Sequence, residues 1–142
     1  MLDSKLIFSA DQDLAQTVGD YDSTSDLDKG TGYDCWDAAI IANEIGDLWF
    51  NCIVTETFTS TDAATLKVAL HDSADDITYT STGIEVPLAN NTLADLVAGK
   101  VLISVPIPQG LKRYLKVVYS IGTQTTTAGK VDTFLAGPVR VV

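Results

Sequence analysis

Hydrophobic and polar positions alternate along most of this chain with a period of two, the signature of strands that turn one face to a core. Leu48, Phe50, Cys52, Val54 and Phe58 fall on one side of an extended segment, with Trp49, Asn51, Ile53, Thr55 and Thr57 on the other. Beyond a turn at Ser60-Thr61-Asp62, a second strand sets Leu66, Val68 and Leu70 inward and Thr65, Lys67 and His71 outward. His71 to Asp76 has the composition of a loop, and Tyr79 to Val86 predicts one or two short strands, broken at Gly83 and stopped by Pro87. Asn91 to Gly99 departs from the period. Thr92 and Asp95 resemble a capping box and Gly99 suits a helix end, so one or two helical turns are expected there. Val101 to Val105 is a strand that ends in the stretch Pro106 to Gly110. The strongest strand runs from Leu111 to Ile121, with Leu115, Val117, Tyr119 and Ile121 on its inner face. Thr123 to Gly129 reads as a turn or flexible loop. Val131 to Leu135 and Val139 to Val142 close the chain as two short strands around Gly137-Pro138.

Short strands recurring every ~8–12 residues, punctuated by Gly and Pro, predict an all-β, jelly-roll-like β-sandwich with at most one short helix. A chain of 142 residues fits a single domain, and burying roughly 70% of its unfolded surface requires no metal or disulfide staple. Residues 45–142 supply the sandwich core. Residues 1–44 differ: between 9 and 34 they are polar, with few apolar anchors, and predict an extended N-terminal arm and acidic loops carrying one or two short edge strands at most. Asp37 to Ile45 mixes helix formers with β-branched residues and is ambiguous. Cys35 and Cys52 match no zinc spacing or disulfide framework, so buried free thiols are the default expectation.

Charge narrows the partners. The chain carries a net −10, and residues 1–37 hold nine aspartates against Lys5 and Lys29, most of that imbalance. Affinity for nucleic acid rests on cations meeting phosphates, so no nucleic-acid partner is expected. A neutral or basic protein surface suits the acidic third better, although solvation of loops explains it equally well. No apolar run approaches the ~18 residues of a membrane span, and Leu6-Ile7-Phe8 is too short for a signal-peptide core. The expectation is a protein made in a cytoplasm, with no membrane partner.

No pattern of catalytic residues emerges. His71 is the only histidine, no Gly-x-Ser-x-Gly elbow exists, and a strand-end position for His71 predicts an exposed side chain. The acidic run from Asp20 to Gly30 fails as a calcium loop, because the position six beyond Gly30 is Trp36 where a bidentate Glu is required. Gly30-Thr31-Gly32 lacks the Gly-Lys-Ser/Thr of a phosphate loop. The expectation is a non-enzyme with no cofactor and no metal. Trp36 and Trp49 are candidate interface anchors, with core packing the competing reading for each. Lys112, Arg113 and Tyr114, joined by Lys116, form the only basic cluster, expected at an exposed strand edge or rim.

The segments Leu6-Ile7-Phe8-Ser9-Ala10-Asp11-Gln12, Thr55-Glu56-Thr57-Phe58-Thr59-Ser60 and Ala64 to Leu70 resemble the jelly-roll cement (decoration) proteins of tailed bacteriophages. So do Pro108-Gln109-Gly110-Leu111-Lys112-Arg113-Tyr114-Leu115-Lys116-Val117 and the stretch from Gly122 to Asp132. The acidic segment 20–34 matches least well. The resemblance implies a homo-oligomer, dimer or trimer, on the outer capsid surface of a virion assembled in the host bacterial cytoplasm, bridging subunits of the major capsid protein. Leu2, Leu6 and Phe8 are expected to pack on a neighbouring subunit. A carbohydrate-binding β-sandwich and a virion fibre component are the alternatives.

Overall fold

The computed structural model describes residues 7–23, 33–34, 49–75, 77–86, 92–107, 111–112 and 114–136, with the backbone alone at 33, 34 and 86. Among the described residues nine strands follow one another: β1 (Ile7–Asp13), β2 (Gly19–Asp22), β3 (Tyr33–Asp34), β4 (Trp49–Ser60), β5 (Thr65–Ser73), β6 (Thr80–Val86), β7 (Val101–Pro106), β8 (Tyr114–Gly122) and β9 (Thr126–Ala136). They form two antiparallel sheets. The first has the order β1-β9-β4-β7 and the second β2-β8-β5-β6, with two-residue β3 also on β8.

The pairings have a nested logic. β5 pairs with β6, β4 with β7, β2 with β8 and β1 with β9. These pairs describe one long hairpin whose tip is the β5–β6 turn. Rolling it up adds the pairs β4–β9 and β5–β8, which join its arms into two sheets. That is a jelly roll, the solution in which two facing sheets bury their apolar faces against each other.

The predicted inward positions form the core. Phe50, Cys52, Val54 and Phe58 of β4, Leu66, Val68 and Leu70 of β5, and Leu115, Val117, Tyr119 and Ile121 of β8 are all buried. The Cys52 thiol is free, and burial pushes its pKa well up, which keeps it protonated and inert. Cys35 lies outside the described residues. A polar bridge crosses the core: the Tyr119 hydroxyl donates to Ser9 Oγ of β1 at 2.9 Å and shares a 2.6 Å hydrogen bond with Thr133 Oγ1 of β9. One buried tyrosine thus ties the second sheet to two strands of the first.

Several expectations are corrected. Residues 7–23 do supply two edge strands, as expected of the N-terminal segment, but they are built into the sandwich and do not extend from it: β1 is the edge of one sheet and β2 an edge of the other, and Leu14 is fully buried. The period of two fails in β1 because its register against β9 shifts between Ile7 and Ser9 and again between Ser9 and Gln12, so neighbours Phe8 and Ser9 both face inward. No helix forms over 92–99. The Thr92–Asp95 contacts exist, but they close consecutive turns, and Gly99 N–H and Val54 C=O tie the segment to β4 at 2.7 Å. β6 is one strand, the first of the two expected outcomes, and Gly83 at φ +87° lies inside it without breaking it. β9 begins at Thr126, five residues earlier than expected, so only the turn before it is loop. Leu48, Asp37 to Ile45 and Val139 to Val142 lie outside the described residues.

Candidate functional site

Among the described residues no catalytic grouping anchors a site, and the surfaces of the two sheets are the candidates. On the outer face of the first sheet, Trp49 of β4 stands between Ala136 of β9 and Pro106 of β7. Two residues along, Asn51 stands between Phe134 and Ser104, and Ile53 lies opposite Asp132. The strip is mostly apolar with an amide at its centre. Ser104 Oγ donates to Asn51 Oδ1 at 2.6 Å, and Asn51 Nδ2 donates to the Trp49 carbonyl at 3.2 Å. Although this face points away from the core, Asn51 is 0% and Phe134 7% exposed, and Trp49 is half-buried.

The outer face of the second sheet is charged instead. Lys67 pairs with Glu85 at 3.1 Å and Lys116 with Asp22 at 3.2 Å, so β5–β6 and β8–β2 are each cross-linked by an ion pair. Lys116 Nζ also sits 4.4 Å from the centroid of the Tyr79 ring, a cation–π distance. His71 lies opposite Lys116 in mid-strand, not at a strand end, and is half-buried. Burial lowers its pKa, helped by Lys116 and Lys67 and opposed by Asp22 and Glu85, so the imidazole is neutral at pH 7. Among the described residues no hydrogen-bond partner orients it as a base.

At the β5–β6 end, Asp75 accepts hydrogen bonds from Ser73 Oγ, Ile77 N–H and Thr78 N–H at 2.9–3.0 Å. These donors hold its pKa at about 2 and fix the loop that carries Ile77, 82% exposed. Among the described residues no grouping of His, Cys, Asp and Glu could hold a metal ion, and no helix is long and apolar enough to cross a membrane.

Of the sequence-predicted interface residues, Trp49 is on an outer face as expected, and Lys112 is exposed. Tyr114 is half-buried, with its backbone opposite Ser73 at the end of the charged face. Trp49 and Tyr114 therefore belong to different sheets and are not brought together. Phe8 is corrected: 2% exposed, it packs edge-to-face on Phe50 at 6.2 Å in the chain's own core and offers nothing to a neighbour. Leu2, Leu6, Trp36 and Arg113 lie outside the described residues. Sequence reasoning missed Phe134 and Tyr79. The alternation that set Trp49 opposite Phe50 also sets Phe134 opposite Leu135, and that signal was sufficient to find it. Tyr79 carries none, because its position depends on the β5–β6 turn.

The nested pairing and the two opposed sheets define a jelly-roll β-sandwich whose described surface offers binding faces. The Bbp16 family profile matches residues 17–135, and the chain belongs to this phage protein family. A search of curated proteins finds no match.

Proposed function

We propose that this protein is a non-enzymatic cement protein, binding the outer surface of a tailed-phage capsid as a symmetric oligomer and bridging major-capsid subunits. The observation that carries this reading is the Bbp16 family match over residues 17–135, which takes in every strand from β2 to β8 and nearly all of β9. The electrostatics agree, since a chain of net −10 avoids nucleic acid and favours protein surfaces. A domain that binds the assembled shell and not its free subunits stabilises the shell by mass action, and symmetric copies multiply a modest contact into avidity.

The outer face of the first sheet, centred on Trp49, is the contact that best suits a protein partner, because half-buried aromatics beside apolar neighbours are the usual anchors. Co-sedimentation with capsids stripped of the protein tests the reading. Saturable binding to shells and none to free subunits is expected, with Trp49→Ala weakening it about ten-fold or more. Absence of binding to shells overturns the proposal.

A further inference from the structure

Among the described residues three large apolar side chains are exposed: Val18, Val97 and Ile77. The strand directions separate them. Val18 is in the β1–β2 connection and Val97 in the β6–β7 connection, at the end of the sandwich where β4 runs into β5 and β8 into β9. Ile77 is at the opposite end, on the β5–β6 loop, where β4 starts at Trp49, β7 ends at Pro106 and β9 ends at Ala136. It is the most exposed of the three, at 82%, and it shares its end with the apolar strip around Trp49.

The loop that carries Ile77 is braced. Asp75 accepts from the N–H of Ile77 itself and of Thr78, each at 3.0 Å, and from Ser73 Oγ at 2.9 Å, while Asp75 N–H donates back to Ser73 Oγ at 3.2 Å. Below it, Lys112 N–H donates to Asp72 Oδ2 at 3.1 Å, which ties the loop's base to the approach to β8. Holding a branched aliphatic side chain in water gains the folded chain nothing, whereas an ordered loop lowers the entropy cost of a contact. From this placement and this bracing we infer that Ile77 is a preformed anchor for an apolar socket in the capsid shell, beside the Trp49 contact, with Asp75 as its positioning residue. A lipid surface fits less well, because it favours several apolar side chains beside cations. The loop offers one isoleucine beside Asp75 and Asp76.

The inference rests on the cement reading, and shells stripped of the protein test the two apart. Hydroxyl-radical footprinting of the full chain, free and shell-bound, reads side-chain exposure. Oxidation of Ile77 should fall on shells, while Val18 and Val97 are oxidised equally in both states. Ile77→Ser should melt like the wild type, because the side chain is exposed, and bind shells about ten-fold more weakly or worse. Asp75→Ala should weaken binding too, and Asp75→Asn, which keeps an acceptor oxygen for the three donors, should restore most of it. An Asp75→Asn as weak as Asp75→Ala overturns the positioning role. Wild-type binding by Ile77→Ser, or Ile77 oxidised alike in both states, overturns the anchor and leaves the cement reading in place. So does Ile77 oxidation that falls with rising concentration in the absence of shells, which assigns the socket to a second copy. A wild type that ignores shells removes the cement reading and the anchor with it. The wild-type footprint decides even where a variant fails to fold.

Discussion

Gly129, at φ +145°, lies against the Phe58 ring, and a Cβ built there would meet that ring at 2.4 Å. Both the backbone and the space reject a side chain, so Gly129→Ala should destabilise by about 1–3 kcal/mol in a denaturant titration. Phe58 is anchored in the core and cannot swing out to relieve the clash. Tyr119 makes the complementary case, of a polar atom the core requires. Tyr119→Phe keeps the ring but takes a partner from the Ser9 and Thr133 hydroxyls, at a cost of about 1–3 kcal/mol. The inward position of Tyr119 was legible from the period of two. Its partners were not, because Ser9 sits beside a bulge and looks like one more polar residue of a polar segment. His71 adds a pH term. Its folded pKa lies below the unfolded ~6.5, so the unfolded chain binds the proton more readily. Its contribution is fully present above about pH 6.5 and is lost as pH falls toward the folded value. His71→Gln should flatten that part of a stability–pH profile.

At the scale of elements, the strands with unbroken alternation were readable and the irregular ones were not. β5 and β8 keep a regular nine-residue register against each other, and their inner faces were readable residue by residue. β1 escapes the pattern because two register shifts erase its period while its aspartates suggest solvent, so the segment suggests at most a short edge strand on an arm. The start of β9 has the composition of a loop because Thr126 to Gly129 is small and polar, yet Thr126 N–H bonds the Gln16 carbonyl at 3.0 Å and Leu14 N–H bonds the Gly129 carbonyl at 2.9 Å. Those contacts join residues more than a hundred positions apart, beyond the reach of local pattern. The β5–β6 loop is ordered by a single carboxylate. With a folded pKa of about 2, below the ordinary aspartate value of ~3.9, Asp75 holds the loop fully above pH ~4 and releases it as pH falls through 2. Asp75→Ala should speed amide exchange at Ile77 and Thr78 at neutral pH and leave β5 unaffected.

For the whole molecule, the nested hairpin makes the ends of the chain interdependent. Ile7 pairs with Phe134 and Gly19 with Ile121, so the first strands have no sheet to join until the last have formed. Closing such separations costs chain entropy before any contact repays it, which places folding in the slow, millisecond-to-second range of all-β sandwiches. The same topology decides what deleting residues 1–10 does. If that segment were an arm laid on a neighbour, its loss would weaken association and leave the domain intact. The deletion instead removes Phe8, one partner of the Phe50 edge-to-face pair, together with Ser9 of the Tyr119 bridge, and strips the Ile7 and Ser9 pairings from β9. Losing Phe8 alone is worth about 3–5 kcal/mol, a large share of the 5–15 kcal/mol that holds a typical domain folded. The truncated chain should therefore unfold far below the wild-type denaturant midpoint or fail to refold, as followed by circular dichroism. A truncation that keeps the wild-type midpoint would show that β1 contributes little to the fold and would return the N-terminal residues to the role of an arm.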